Sequence, residues 1–161
     1  MNVPEIVIQP LEGNCNLYSG NFNCLLKKVK NLEKAHRKCR GINKKMDTIL
    51  NIFILLTSAA VTSLESLLDV TKHEYQVTIA KVVLSGITTF LAGLNMTFDN
   101  AAKSSTHHEV SRLYMQLGIN IEKAMLIKDQ TKYKQLLDEY SEIRKDSIGL
   151  FGFVRKQYQI D

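Results

Sequence analysis

The sequence predicts an all-α membrane protein built on a two-helix transmembrane hairpin, and three observations carry that prediction. Residues 48–64 and 82–98 are 17-residue stretches without a formal charge, charges crowd the flanks just outside them, and Leu, Val and Ile recur at helical steps on either side. At 1.5 Å per residue each stretch spans about 25 Å, slightly less than the roughly 30 Å of hydrocarbon in a bilayer. The methylene stems of Lys44, Lys45 and Lys81 laid along acyl chains, or a thinner bilayer, make up the difference. The alternative is a soluble helical bundle that buries the same hairpin, and the Thr, Ser and Asn within the two stretches speak for it. Length and charge distribution favour the membrane.

The chain has 161 residues, 45% of them apolar, and is read as one domain. Its formal charge of +5 is unevenly spread. Lys27, Lys28, Lys30, Lys34, Arg37, Lys38, Arg40, Lys44 and Lys45 face a single acid, Glu33, in the stretch that leads into the first apolar segment. A run of this kind is either a solvated helix face or a surface attracted to polyanions. Its place beside an apolar segment points to anionic lipid headgroups, and the lack of interleaved aromatics argues against nucleic acid. The stretch 65–81 carries Glu65, Asp69 and Glu74 against Lys72 and Lys81. The excess of Lys and Arg ahead of the first segment then places both termini on the cytoplasmic side and this 17-residue loop on the other. Nothing at the start has the layout of a cleaved signal peptide, so the first span is expected to act as its own insertion signal.

In chain order, residues 1–23 hold both prolines and several Gly and Asn, which reads as an extended arm that orders on contact or stays disordered. Residues 24–47 form a basic amphipathic helix, with Leu25, Leu26, Val29, Leu32, Ala35, Cys39 and Ile42 on one face and Gly41 near its end. The hairpin occupies 48–98. Within it Ser85, Thr89, Gly93 and Thr97 fall four apart, as do Ser58 and Thr62, so each helix offers a narrow stripe of small residues. Such stripes allow close helix packing in lipid, and packing inside the hairpin is favoured over oligomerisation or a lined pore. Asn51 and Asn95 are expected to face protein, since an amide turned to acyl chains leaves its donors and acceptors unpaired.

Residues 99–148 give a second helical signal with Val110, Leu113, Tyr114, Leu117, Ile121, Ala124 and Met125 on one face. Tyr133, Leu136, Leu137, Tyr140 and Ile143 follow after a polar break at 128–132. One long helix or two shorter ones, facing the cytosol, are predicted to pack on the basic helix. The tail 149–161 opens with Leu150, Phe151, Phe153 and Val154, apolar enough to form a docking patch.

A basic helix ending in His36-Arg37-Lys38-Cys39, then a hairpin, then His107-x3-Ser111-x2-Tyr114-x2-Leu117-x3-Ile121-Glu122 with Ile143-Arg144 downstream resembles the SLATT group of two-transmembrane proteins. The resemblance covers residues 27–147. It implies a hairpin that acts as a membrane effector, often thought to form pores, and similar two-pass chains occur in large double-stranded DNA viruses with an internal membrane. Members of the group usually carry a sensor, whereas the addition here is the arm at 1–23. That departure turns the reading toward a structural part, such as a minor capsid component anchored to the bilayer. An oligomeric effector remains the alternative.

Chemistry is sparse. The sequence contains no Gly-rich phosphate loop, His-Glu-x-x-His, Cys-x-x-Cys or Gly-x-Ser-x-Gly, so neither an enzyme nor a cofactor is expected. Cys15, Cys24 and Cys39 suit reduced thiols facing the cytosol, with a Cys15–Cys24 bridge as the alternative. His107 and His108 point about 100° apart on a helix and do not readily share a metal. His107 is expected to pack at the membrane exit. The partners expected are a bilayer with anionic headgroups and other structural proteins or further copies of the chain.

Overall fold

The computed structural model describes residues 17, 20–67 and 70–160. They form five helices: α1 (Phe22–Leu67), α2 (Val70–Phe98), α3 (Asn100–Leu126), α4 (Lys132–Asp146) and α5 (Gly152–Tyr158). Among the described residues there is no strand. Most of the arm at 1–23, including Cys15, lies outside them; among the described residues Cys24 is disulfide-bonded, which corrects the expectation of three reduced thiols, and Cys39 is a free thiol.

The framework is one long helix, α1, lined by the consecutive pair α3 and α2 running antiparallel to it. The inward positions of α1 follow a three- and four-residue rhythm. Phe22, Leu25, Val29, Leu32, His36, Cys39 and Asn43 are buried, and Asp47, Leu50, Ile54, Thr57, Val61 and Leu64 continue as half-buried positions. This is the seam of a two-helix packing in which α1 changes partner part-way, meeting α3 over its first half and α2 over its second. The switch falls between Asn43 and Asp47, where two four-residue steps follow one another and shift the phase. On the facing side Asp99, in the left-handed region at φ 43°, separates α2 from α3. Hydrogen bonds from Asp99 N to Asn95 O and from Lys103 N to Asp99 O carry the helical ladder across this kink.

Two features differ from the sequence expectation. The basic helix 24–47 and the span 48–64 are a single helix, and Gly41 sits inside it without a break, as the modest cost of one helical glycine allows. The expected loop 65–81 is also mostly helical, since α1 continues to Leu67 and α2 begins at Val70. The stretch contains neither Pro nor Gly to stop a helix, and Val77, 3% exposed, extends the packed seam beyond the apolar run.

Beside the first half of α1, α3 and α4 complete a module whose core holds Leu25, Val29, Tyr114, Leu117, Ile121, Leu136 and Tyr140. The Phe22 ring meets Tyr133 edge-on at 5.1 Å, and the Tyr133 hydroxyl donates to the Leu17 carbonyl. The break between α3 and α4 lies where the polar run 128–132 predicts it. Lys128 takes a positive φ of 53°, and the Asp129 carboxylate accepts hydrogen bonds from the Thr131 hydroxyl and backbone N–H. These bonds, the hydroxyl's first, hold the Asp129 carboxyl below its usual range. In a second, smaller cluster, Val154 of α5 packs on Ala35 and Cys39, with Ile42 and Leu150 around them.

Candidate functional site: the hairpin and the layer beneath it

The two apolar runs lie side by side over their whole length. Asn95 Nδ2 donates to Asn51 Oδ1 at 3.0 Å, and Thr88 Oγ1 donates to Thr57 Oγ1 at 2.8 Å. Those two pairs set residue 48 level with residue 98 and residue 64 level with residue 82. The seam between the helices consists of Leu50, Ile54, Thr57, Val61 and Leu64 against Val77, Leu84, Thr88, Leu91 and Asn95. Outside it the hairpin is apolar, with Leu55 69%, Phe90 65% and Met96 83% exposed. The helices that carry these runs are long and apolar enough to cross a membrane.

The small-residue stripes do not form this seam, which corrects the expectation that they pack the hairpin together. Ser58, Thr62, Ser85, Thr89, Gly93 and Thr97 are all exposed, and a Cβ built on Gly93 would meet nothing within 4 Å. Bulkier residues with three- and four-residue spacing hold the seam, and the stripes are turned to its outside. The hydroxyls of Thr62, Thr89 and Thr97 donate back to the carbonyls of Ser58, Ser85 and Gly93 at 3.1, 2.9 and 2.8 Å. Each of these threonines therefore satisfies its donor within its own helix, so the outer face remains compatible with hydrocarbon. Asn51 and Asn95 are turned toward each other across the hairpin.

The nine basic residues do not form one surface. Measured along α1 from Thr48, Lys44 and Lys45 lie about 5 Å away, whereas Lys27 lies about 30 Å away, several Debye lengths off. Lys30 pairs with Glu122 at 2.6 Å and Arg37 with Glu33 at 2.6 Å, both exposed contacts worth little to stability. Lys38 donates to Gln157, and Arg40 meets His108 Nδ1 at 2.9 Å. Lys27, Lys28 and Lys34 are spread along the far half of the helix. Only Lys44 and Lys45 stand at the apolar boundary, with Arg40 next to them.

Between the module core and this boundary lies a contact that the sequence reading missed. His36 Nδ1 and His107 Nδ1 are 2.9 Å apart, and both rings are buried at 1% and 2% exposure. One ring must donate and the other accept, so the contact requires at least one neutral imidazole. Burial, reinforced by the neighbouring His107, pushes His36 down to about 4, and burial lowers His107 too. His107 thus lies within the module, about 13 Å along the helix from Phe98, and not at the membrane exit. The available signal was phase: His36 falls on the same helical face as Leu25, Val29, Leu32 and Cys39.

The remaining motif residues share this interface. Ser111 Oγ donates to Glu33 O at 3.3 Å, while Tyr114, Leu117 and Ile121 are fully buried. Burial pushes the Tyr114 phenol up to about 12 and raises the Cys39 thiol. Glu122 is outside, on Lys30. The motif therefore describes how α3 packs on α1. Among the described residues no group of three or more His, Cys, Asp or Glu side chains converges on a common point. No family model, curated protein or solved structure matches the chain.

Proposed function

We propose that the chain is a non-enzymatic, two-pass membrane protein that fixes a cytosol-facing helical module to a bilayer as a structural part, tying a protein layer to the membrane beneath it. A minor capsid component of a large DNA virus with an internal membrane is the setting that the SLATT-like resemblance suggests. The observation that carries the reading is the continuity of α1 from the module core to the end of the hairpin. A module joined to its anchor by an unbroken helix is suited to holding position. The lysine-bearing boundary at Lys44 and Lys45 suits anionic headgroups on the cytoplasmic side.

Carbonate extraction and flotation of the full-length protein from its natural membranes, followed by crosslinking of the floated fraction, tests this. Retention with crosslinks to abundant proteins of other sequence supports the anchor, and release into the soluble fraction overturns it. One observation favours a second reading, a SLATT-type oligomeric effector: the stripe Ser85, Thr89, Gly93 and Thr97 faces outward and is free of the hairpin's own seam. Retention with only a ladder of self-crosslinks, together with dye release from anionic vesicles, would establish that reading in place of the first.

A further inference from the structure

One polar side chain on the outside of the hairpin is left with unpaired donors at a depth where water is scarce. Asn51 Oδ1 accepts from Asn95 Nδ2 at 3.0 Å, and Asn95 Oδ1 finds no donor, so the two amides share one hydrogen bond instead of two. Asn51 Nδ2 therefore keeps both of its N–H groups without an acceptor among the described residues, and the side chain is exposed. Because each apolar run is about 5 Å shorter than the hydrocarbon, a centred bilayer reaches some 2–3 Å past Thr48, and Asn51 lies about 7 Å inside its edge. The side chain is too short to carry its amide back to the headgroups, and an N–H without an acceptor is strongly unfavourable in hydrocarbon.

Its neighbours leave this amide accessible. Leu55 and Ser58 follow it on the same face of α1 at steps of four and three, both exposed, Leu55 at 69%. Ser58, one heptad from Asn51, is small enough for a second backbone to come close, and Leu55 between them supplies an apolar contact. An amide is also self-complementary: it carries donors and an oxygen with two lone pairs, of which Asn95 occupies one. Copies inserted in the same orientation hold Asn51 at the same depth. A two-fold axis along the membrane normal then brings amide to amide, each donating one N–H to the other.

We infer that two copies of the chain associate within the bilayer through reciprocal hydrogen bonds between their Asn51 amides, with Leu55 and Ser58 in the same contact. Asn95 is a positioning residue that holds Asn51 Oδ1 in place. This inference rests on the membrane-anchor reading and makes a second copy the neighbour of the anchor. The contact lies on α1, away from the Ser85 stripe of α2, and involves no pore.

Full-length protein labelled at its amino terminus with donor or acceptor fluorophores, in vesicles of phosphatidylcholine and phosphatidylserine over a range of protein-to-lipid ratios, tests this. Energy transfer should exceed that of random proximity and saturate as a dimer does. Asn51→Val, which removes both bonds, should need about ten times more protein per lipid to reach the same transfer, while Asn51→Gln, which keeps an amide, should shift it less. In a second measurement Leu55→Cys, oxidised in the same vesicles, should give a covalent dimer whose yield falls when Asn51→Val is added. The described native cysteines do not compete, since Cys39 is buried and Cys24 is already bonded. Retention in the vesicles with transfer no greater than random proximity, or with transfer unchanged by Asn51→Val, overturns the inference and leaves the anchor standing. Release of the unsubstituted chain from the vesicles on flotation overturns the anchor and this contact together.

Discussion

The two halves of α1 use the same side-chain rhythm and arrive at opposite surfaces. In the module the seam is closed, with Leu25, Val29 and Cys39 fully buried beneath an outer face of Lys, Arg and Glu. In the hairpin the seam is only half-buried and carries Thr and Asn, while Leu55, Leu56 and Phe53 point outward. Water drives the first arrangement, since burying apolar area is its main source of stability. Hydrocarbon removes that drive in the second, so hydrogen bonds and close packing between helices take over. A helix can keep one packing grammar while its solvent changes.

That contrast can be broken from either side, and the largest effect belongs to the module. Tyr114→Ala removes a fully buried ring and should destabilise the module by about 3–5 kcal/mol, while the hairpin stays helical and membrane-bound. Thermal unfolding of the purified protein in nanodiscs, with flotation as the second readout, checks both parts. Leu55→Arg addresses the other half. On a water-facing helix such a change is almost neutral, whereas at mid-membrane it costs about 2.5–3.5 kcal/mol of insertion free energy. A glycosylation-reporter insertion assay should therefore register loss of the first span, and unchanged insertion would return the hairpin to a soluble bundle.

Acid should separate the halves without any substitution. His36 is neutral in the folded module and titrates at about 4, against about 6.5 when unfolded, so the unfolded chain binds the extra proton first. Its contribution is present above pH 6.5 and is lost as pH falls from there to about 4, by roughly 2–3 kcal/mol in all. Following module unfolding from pH 7 to 4 should show this loss, with His36→Phe flattening the profile. The smallest effect expected is that of Thr88→Val, which deletes the hydrogen bond to Thr57 and should weaken the hairpin by about 0.6 kcal/mol in a steric-trap measurement.

Legibility in the sequence followed the same divide. The module's faces could be read because polar and apolar residues alternate with helical period, and Tyr114, Leu117 and Ile121 stand where the period puts them. The uncharged runs of the hairpin could be read from charge, although α1 passes through Thr48 without a break and both helices extend into the expected loop. The hairpin's inner face could not, because within residues 82–98 almost every position is apolar or small, and the Ser85 stripe competes with the Leu84, Thr88, Leu91 and Asn95 seam on equal periodic terms. Choosing between them requires the partner helix. The His36–His107 contact was hidden for a related reason: histidine counts as polar, and only its phase among Leu32, Ala35 and Cys39 reveals that it turns inward.

The uninterrupted backbone of α1 makes it a ruler. From Phe22 at the outer end of the module to Thr48 at the start of the apolar run it measures about 39 Å. Whatever is held at that outer end stands off the bilayer by a height written in residues, not by the slack of a tether. Adding one heptad on the module side would raise it by about 10 Å and leave it facing nearly the same way.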